Sequence, residues 1–468
     1  MFRRLFFGTA AALALTLTSS GCAFGPMDRS GTPPIIFVHG DGDSAASWQT
    51  TLWRFESNGW PRDRLFALQQ PYPLARDDDS KVQAGHSSTA EHLAFLKTEV
   101  DKVLAQTGAK QVVLVGHARG GYAIRNYIQN GGGDKTVSHA ILGGTPNHGV
   151  WAIPGFREGS EYAGTGPFLK ALNAPKNAAG DEVTGPVKWL TIRSDSNDKF
   201  AQPDGEWTGA KGKPTNVGFD SPELKGAQNV VIPRADHRET SYSPEAFALT
   251  YRFITDQSPP TSKPVPTQQV VLDGLVTGMG VQSSDRASAS NNFSNNLPIA
   301  KARVEVFAVH PDTGLRVGGP VHAQTVDTNG RWGPFSARSD VPYEFVVSAP
   351  GYARTHIYRS PFLRSSHVVH LKADRIADAD LPAFSIIQLV RPRGYMDPTT
   401  HHIRFDGQAP PPGVTVARVA AISSSQIKLD KLQYRAISAE FHTDAVERIV
   451  GRTWPAKENH VVWLEITQ

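Results

Sequence analysis

Hydrophobic positions in the first half of the chain fall into short continuous runs separated by stretches with helical spacing. This alternation predicts βαβ units around a mostly parallel sheet. Ile35-Ile36-Phe37-Val38 is a strand by its unbroken apolar, largely β-branched run, and Gln111 to Val115, Ala140 to Leu142, Val187 to Ile192 and Asn229 to Ile232 read the same way. Ser88 to Gly108 is a helix. Leu93, Leu96, Val100 and Val103 share one face, Ser88 and Glu91 have capping-box spacing, and Gly108 is the stop. Tyr122 to Gln129 is the next helix. Between Thr145 and Pro186 the periodicity fades into Gly, Ala, Asn and Pro, with one short helix at Phe168 to Leu172. A lid over a site and a plain connecting loop are both open there.

The pattern changes after residues 258–268, a proline-rich segment whose composition predicts an extended, semi-rigid linker. Beyond it come short alternating runs at Gln269 to Leu272, Ala302 to Val309, Val321 to Val326 and Tyr343 to Ser348, with turn signals at Asp312-Thr313-Gly314 and Asn329-Gly330. Asp327 to Trp332 and Ala349-Pro350-Gly351-Tyr352 resemble the transthyretin-like or carboxypeptidase-regulatory-like sandwiches found as accessory domains. Further runs at Phe384 to Val390, Val414 to Ile422 and His460 to Ile466 predict a second small β unit. A chain of 468 residues exceeds what one ordinary core holds. The expected layout is 1–22 signal peptide, 23–257 α/β domain, 258–268 linker, 269–374 β-sandwich and 375–468 second β domain.

Charge narrows the partners. Lys and Arg total 48 against 44 Asp and Glu, without a long basic run, so no nucleic-acid partner is expected. Arg3 and Arg4, an apolar stretch from Leu5 to Leu17 and small residues up to Cys22 form an export signal. The stretch is too short for a bilayer, which takes ~20 residues. Ser20-Gly21-Cys22 resembles a bacterial lipoprotein processing site, which implies a lipidated Cys22 as a membrane anchor and a periplasmic, outer-membrane or extracellular location. Cys22 is the single cysteine, so neither an intrachain disulfide nor a cysteine metal site can form. No metal and no cofactor are expected. His310, His367, His370, His401 and His402 are read as surface loop histidines, the adjacent pair pointing to opposite faces.

Candidate chemistry sits in Val112 to Gly121. Strand, tight turn and helix follow one another around Gly116-His117-Ala118-Arg119-Gly120, where a G-x-S-x-G nucleophile elbow would have serine at 118. Alanine can neither attack a carbonyl nor give up a proton, so turnover by this chain should be nearly lost. Downstream, Asp195 and Asp198 end a strand, and the acid and histidine must follow the elbow in chain order. Asp198 is the first choice of acid, Asp195 the reserve and Asp204 a weaker third. His237 is the one histidine that lies downstream of Asp198 and before the linker. The loop His39-Gly40-Asp41-Gly42 follows the first strand, where an oxyanion hole needs two N–H donors, by position those of Asp41 and Arg119.

Val38-His39-Gly40, Gly116-His117-x-Arg119-Gly120-Gly121 and Gly144 to Gly149 together resemble α/β-hydrolase lipases and esterases, including two-domain lipases with a C-terminal β domain. The resemblance implies an α/β-hydrolase fold over residues 33 to 256. It also implies hydrolysis of an acyl lipid or related ester through an acyl-enzyme, with His39, Gly40 and His117 supporting the site. Ala118 leaves two readings: a serine hydrolase changed at its nucleophile, or a natural non-catalytic binding protein. A polyester depolymerase or peptidase would use the same triad.

Overall fold

Unbroken apolar strands are stable only where both faces are covered, and the first half of the chain builds such a sheet. The computed structural model describes residues 31–278, 280–281, 292–293, 295–443 and 445–468. The expected export segment and Cys22 lie outside them. Strands β1 (Ile35–Val38), β2 (Leu65–Ala67), β3 (Val112–His117), β4 (Val137–Gly143), β5 (Lys188–Ser194) and β6 (Gln228–Ile232) run in the order β6-β5-β4-β3-β1-β2, all neighbours parallel. One face, with Ile36, Val38, Leu114 and Leu142, packs against α2 (Thr89–Thr107) and α3 (Arg119–Asn130) through Leu96, Val100, Ala123 and Ile124. The other, with Ile35, Phe37, Val115 and Ile192, packs against Phe55 of α1 (Gln49–Ser57) and Phe247 of α6 (Pro244–Thr255). The expected α/β-hydrolase arrangement, a parallel sheet with flanking helices, is what the chain adopts.

Local signals set the helix ends. Ser88 Oγ accepts the Glu91 N–H at 3.1 Å and Glu91 Oε2 accepts the Ser88 N–H at 2.7 Å, while Gly108 closes α2 at φ 67°. The short helix foreseen near Phe168 is α4 (Pro167–Leu172). A four-residue helix, α5 (Glu239–Tyr242), follows His237.

Past residue 268 the described residues form β strands, with two short 3₁₀ turns at Asp378–Asp380 and Ala456–Glu458. A seven-stranded sheet runs His322–Thr325, Arg303–Ala308, Tyr343–Ser348, Arg354–Arg359, His460–Glu465, Ser385–Val390, Ser424–Leu429. A three-stranded sheet of Arg331–Arg338, Gln269–Gly278 and Ser366–Ala373 covers part of it around Val276, Val304, Trp332, Phe345 and Val369. Residues 375–468 are not set apart as foreseen. His460–Glu465 pairs in parallel with both Arg354–Arg359 and Ser385–Val390, so one ladder crosses the boundary drawn at 374/375. Val414 to Ile422 is not a strand. Its backbone bonds elsewhere: the Ala420 N–H to Asn197 Oδ1 at 2.7 Å, the Ala421 carbonyl to Lys199 Nζ at 3.2 Å, and the Ile422 carbonyl to the Met396 N–H.

The two halves are joined. Residues Pro33–Gln468 form one compact unit. Trp53 of α1 sits in the β-sandwich core and donates its indole N–H to the Ser365 carbonyl. The proline-rich segment is docked rather than a free spacer: Arg54 and Asn58 of the α1 end donate to the Ser262 and Thr261 carbonyls, and the Val265 N–H reaches Ser57 Oγ. Two of the histidines expected on surface loops are instead partly buried in this joint. His370 Nδ1 meets Ser44 Oγ at 3.0 Å, and His401 faces Glu239 at 3.6 Å, where burial and then Arg391 push it down to about 4.

Candidate active site

The turn between β3 and α3 holds Ala118 at φ 48°, ψ −116°, a conformation that L-residues rarely adopt. Its surroundings impose it. A Cβ on Gly116 would meet the Gly121 nitrogen at 2.8 Å, and one on Gly120 would meet the Val38 carbonyl oxygen at 2.3 Å. The Ala118 N–H donates to the Gly143 carbonyl at 2.9 Å, and its carbonyl accepts from the Gly121 N–H and from Thr145 Oγ1. Every feature of a nucleophile elbow is present except the hydroxyl.

His237 lies on the loop between β6 and α5. Its Nδ1 and Asp198 Oδ2 are 2.9 Å apart, and both side chains are buried. The pair reaches the elbow: the His237 and His117 ring centroids are 4.8 Å apart, and a Cβ on Gly144 would come within 3.4 Å of His237 Cε1. Phe200 packs edge-on against the same imidazole at 4.6 Å. The second Asp198 oxygen accepts the Phe200 N–H at 2.8 Å, which fixes the carboxylate as well as the ring it faces.

Asp195 is not brought to His237. Its Oδ1 accepts the backbone N–H groups of Ser196 at 2.6 Å and Arg234 at 2.9 Å. Burial raises its pKa, but those bonds outweigh it and hold the carboxyl below the usual range. Asp204 pairs instead with Arg418.

The His39 to Gly42 loop is held against the elbow. A Cβ on Gly40 would stand 2.8 Å from His117 Cδ2 and 3.3 Å from Ala118 Cβ. Burial lowers the His39 pKa, so the ring is neutral; Nδ1–H then donates to the Gly40 carbonyl at 2.9 Å and Nε2 accepts the Gln70 N–H at 3.3 Å. His117 is also kept neutral, by burial and then by His237, with Nδ1 on Ser241 Oγ at 3.0 Å. Asp41 uses its carboxylate on the Ala75 N–H at 2.7 Å, fixing the loop. Arg119 is the first residue of α3, so its N–H has no acceptor within the helix and faces the elbow at the positive end of the helix dipole.

Several contributors have no local signal in the sequence. The Arg119 side chain is buried and bidentate to Glu161 at 2.8 and 2.9 Å, and it also donates to the Pro73 and Ser87 carbonyls. The 145–186 stretch is thereby tied to the elbow helix. From the β region, Asn296 donates to the Asp43 and Gln70 carbonyls beside the His39 to Gly42 loop, and Arg391 reaches the His237 loop at Asp236 and Glu239. A cleft open to solvent lies beside the pair. Asp198 and Phe200 line it with residues of the 144–149 and 217–224 loops.

Residues 32–154 match the lipase (class 2) family, and residues 268–376 match the lipase C-terminal domain. The N-terminal α/β unit is thus similar to class 2 lipases, and the β region to lipase C-terminal domains. The chain is 27% identical over 117 residues to a non-heme haloperoxidase of Rhodococcus erythropolis, a stretch covering 24% of this chain and 37% of that one, so it spans little over a third of that relative. Among solved structures, Aspergillus fumigatus lipase B is 16% identical, with TM-score 0.33 over 52% of this chain and 57% of that one. The mature form of Bacillus licheniformis lipase BlEst2 is 17% identical, with TM-score 0.33 over 48% and 92%.

Proposed function

We propose that this α/β-hydrolase is the scaffold of an exported serine carboxylester hydrolase acting through an acyl-enzyme, with serine at position 118 in its active form. In that form the serine hydroxyl attacks the ester carbonyl, and His237 takes its proton and returns it to the leaving alcohol. Asp198 orients the imidazole and stabilises its cation. The Asp41 and Arg119 N–H groups receive the oxyanion. The observation that carries this reading is the buried 2.9 Å Asp198–His237 pair beside a residue held at φ 48°. A fold that had simply lost its chemistry would have no reason to keep either.

The test is A118S assayed on short- and medium-chain nitrophenyl esters. Serine should raise kcat by up to ~10⁶-fold over the Ala118 chain, and A118S/H237A should lose that gain. No ester cleavage by A118S would leave the second reading, a binding protein, which Ala118 itself favours. Export and a lipid anchor at Cys22 rest on Met1 to Cys22 alone; cell fractionation and the mass of the mature N-terminus test them.

A further inference from the structure

His237 is the second residue of a four-residue motif, Asp236-His237-Arg238-Glu239, which forms a reciprocal capping box. The Glu239 N–H donates to Asp236 Oδ1 at 2.9 Å and the Asp236 N–H donates to Glu239 Oε2 at 3.0 Å. The Arg238 N–H shares Asp236 Oδ1 at 2.8 Å. The box therefore sets the backbone from which the imidazole reaches Asp198. It places the buried Asp236 carboxylate beside the mostly enclosed one of Glu239, which is unstable without a cation.

The cation comes from the other half of the molecule. Arg391, at the end of the Ser385–Val390 strand, is almost fully buried. It puts Nη1 3.5 Å from Asp236 Oδ2 and Nη2 2.8 Å from Glu239 Oε1. Nη1 also donates to the Tyr395 carbonyl, and the Tyr395 N–H donates to Asp236 Oδ2 at 2.5 Å. The guanidinium lies over the Phe441 ring at 4.6 Å, and Gly394 leaves it room, since a Cβ there would collide with Nη1. We infer that Arg391 is a positioning residue for His237: it neutralises both carboxylates of the capping box, so that the β region holds the general base in register.

Burial, then the neighbouring Glu239, push Asp236 up to about 7, while Arg391 works against the rise. Other groups facing the two carboxylates are His401, Arg238, Lys199 and Tyr395, with Asp397 beyond His401. Among the described cations, Arg391 alone contacts both carboxylates.

The test replaces Arg391 with Gln, with Lys, and with Gln in a D236N background, where Asn still accepts the N–H bonds but removes one charge. In the Ala118 chain as it stands, ¹⁵N-histidine NMR should give His237 a single Nδ1–H tautomer, and R391Q should mix its tautomers at neutral pH. Unchanged His237 resonances would overturn the inference. The kinetic arm rests on the ester-hydrolase reading and uses A118S. There R391Q should lower kcat ~10–100-fold with KM little changed, the cost of a misplaced catalytic group. The deficit relative to A118S should shrink as pH falls and the box takes up a proton. D236N/R391Q and R391K should each restore most of kcat. A deficit that is flat in pH, that falls on KM, or that the double substitution leaves unrepaired overturns the inference. Should R391Q fail to fold, R391K and D236N/R391Q decide the same question by kcat and by the His237 spectrum. If A118S itself cleaves no ester, the functional reading fails, and the NMR comparison still decides Arg391.

Discussion

Changing Glu161 to Gln should cost this protein about 3 kcal/mol, because it strands a charge at the base of the elbow helix. The Arg119 and Glu161 side chains are 1% and 2% exposed and meet through two bonds of 2.8 and 2.9 Å. Breaking one side of such a pair costs ~3–5 kcal/mol, most of it the penalty of an uncompensated buried charge. The lower end applies, since the Pro73 and Ser87 carbonyls still accept from the guanidinium. At an unfolding entropy of ~2.1 cal/mol/K per residue, a cooperative unit as large as Pro33–Gln468 should lose roughly 3 °C in Tm. Urea unfolding of the Ala118 chain, followed by tryptophan fluorescence, reads the loss. Replacing both residues by Met should recover stability to within ~1 kcal/mol of the parent or exceed it, because no charge remains buried. A single E161Q effect under ~0.5 kcal/mol, the range of an ordinary surface change, would refute the reasoning. So would a double variant as unstable as the single one.

Two further outcomes separate residues that lie close together. In A118S, D198N should lower kcat by ~10⁴-fold, the effect of losing the acceptor that fixes the histidine tautomer. D195N keeps its acceptor for the Ser196 and Arg234 N–H groups and should change kcat by no more than ~2-fold; the opposite ranking would make Asp195 the acid. Lys199 is pushed down to about 8 by burial and then by Arg238, with its ammonium over the Tyr395 ring at 4.2 Å. A lysine that gives up its proton more easily when folded destabilises the fold below about 8, and this penalty fades as pH rises from there toward its ordinary value. K199M should therefore be more stable than the parent at pH 7, by about 1–3 kcal/mol, with the difference gone near pH 10.5; a constant difference across that range would refute the assignment.

What the sequence made legible was what neighbouring residues decide. The Ser88/Glu91 box, the Gly108 stop and the Gly116 to Gly120 turn are written within a few positions, and each appears where its chemistry puts it. The Asp236/Glu239 box is equally local and has a readable signature, yet its single turn of helix gives no apolar periodicity to draw attention to it. Val414 to Ile422 misleads because its apolar run reads as a strand, while its backbone partners, Asn197 and Lys199, lie more than two hundred residues away. The same distance hides the role of the proline-rich segment. Its composition predicts stiffness, but carbonyls that stiff chains leave unbonded are acceptors for any donor they meet, and Arg54 and Asn58 meet them.

Ala118 carries the most weight in deciding what this molecule is for. A non-glycine residue at φ 48°, ψ −116° costs ~1–3 kcal/mol, and such strain persists only where the surroundings over-determine it. They do: the Gly143 carbonyl and Thr145 hydroxyl grip the peptide on both sides, and Gly40, Gly116 and Gly120 leave the backbone no other place to stand. In a chain with only a binding role, that strain would serve nothing, and glycine at 118 would relieve it. On the reading proposed above, the elbow, the neutral His39 and His117 that brace it and the Asp198–His237 pair are the parts of one device built around an oxygen atom at position 118.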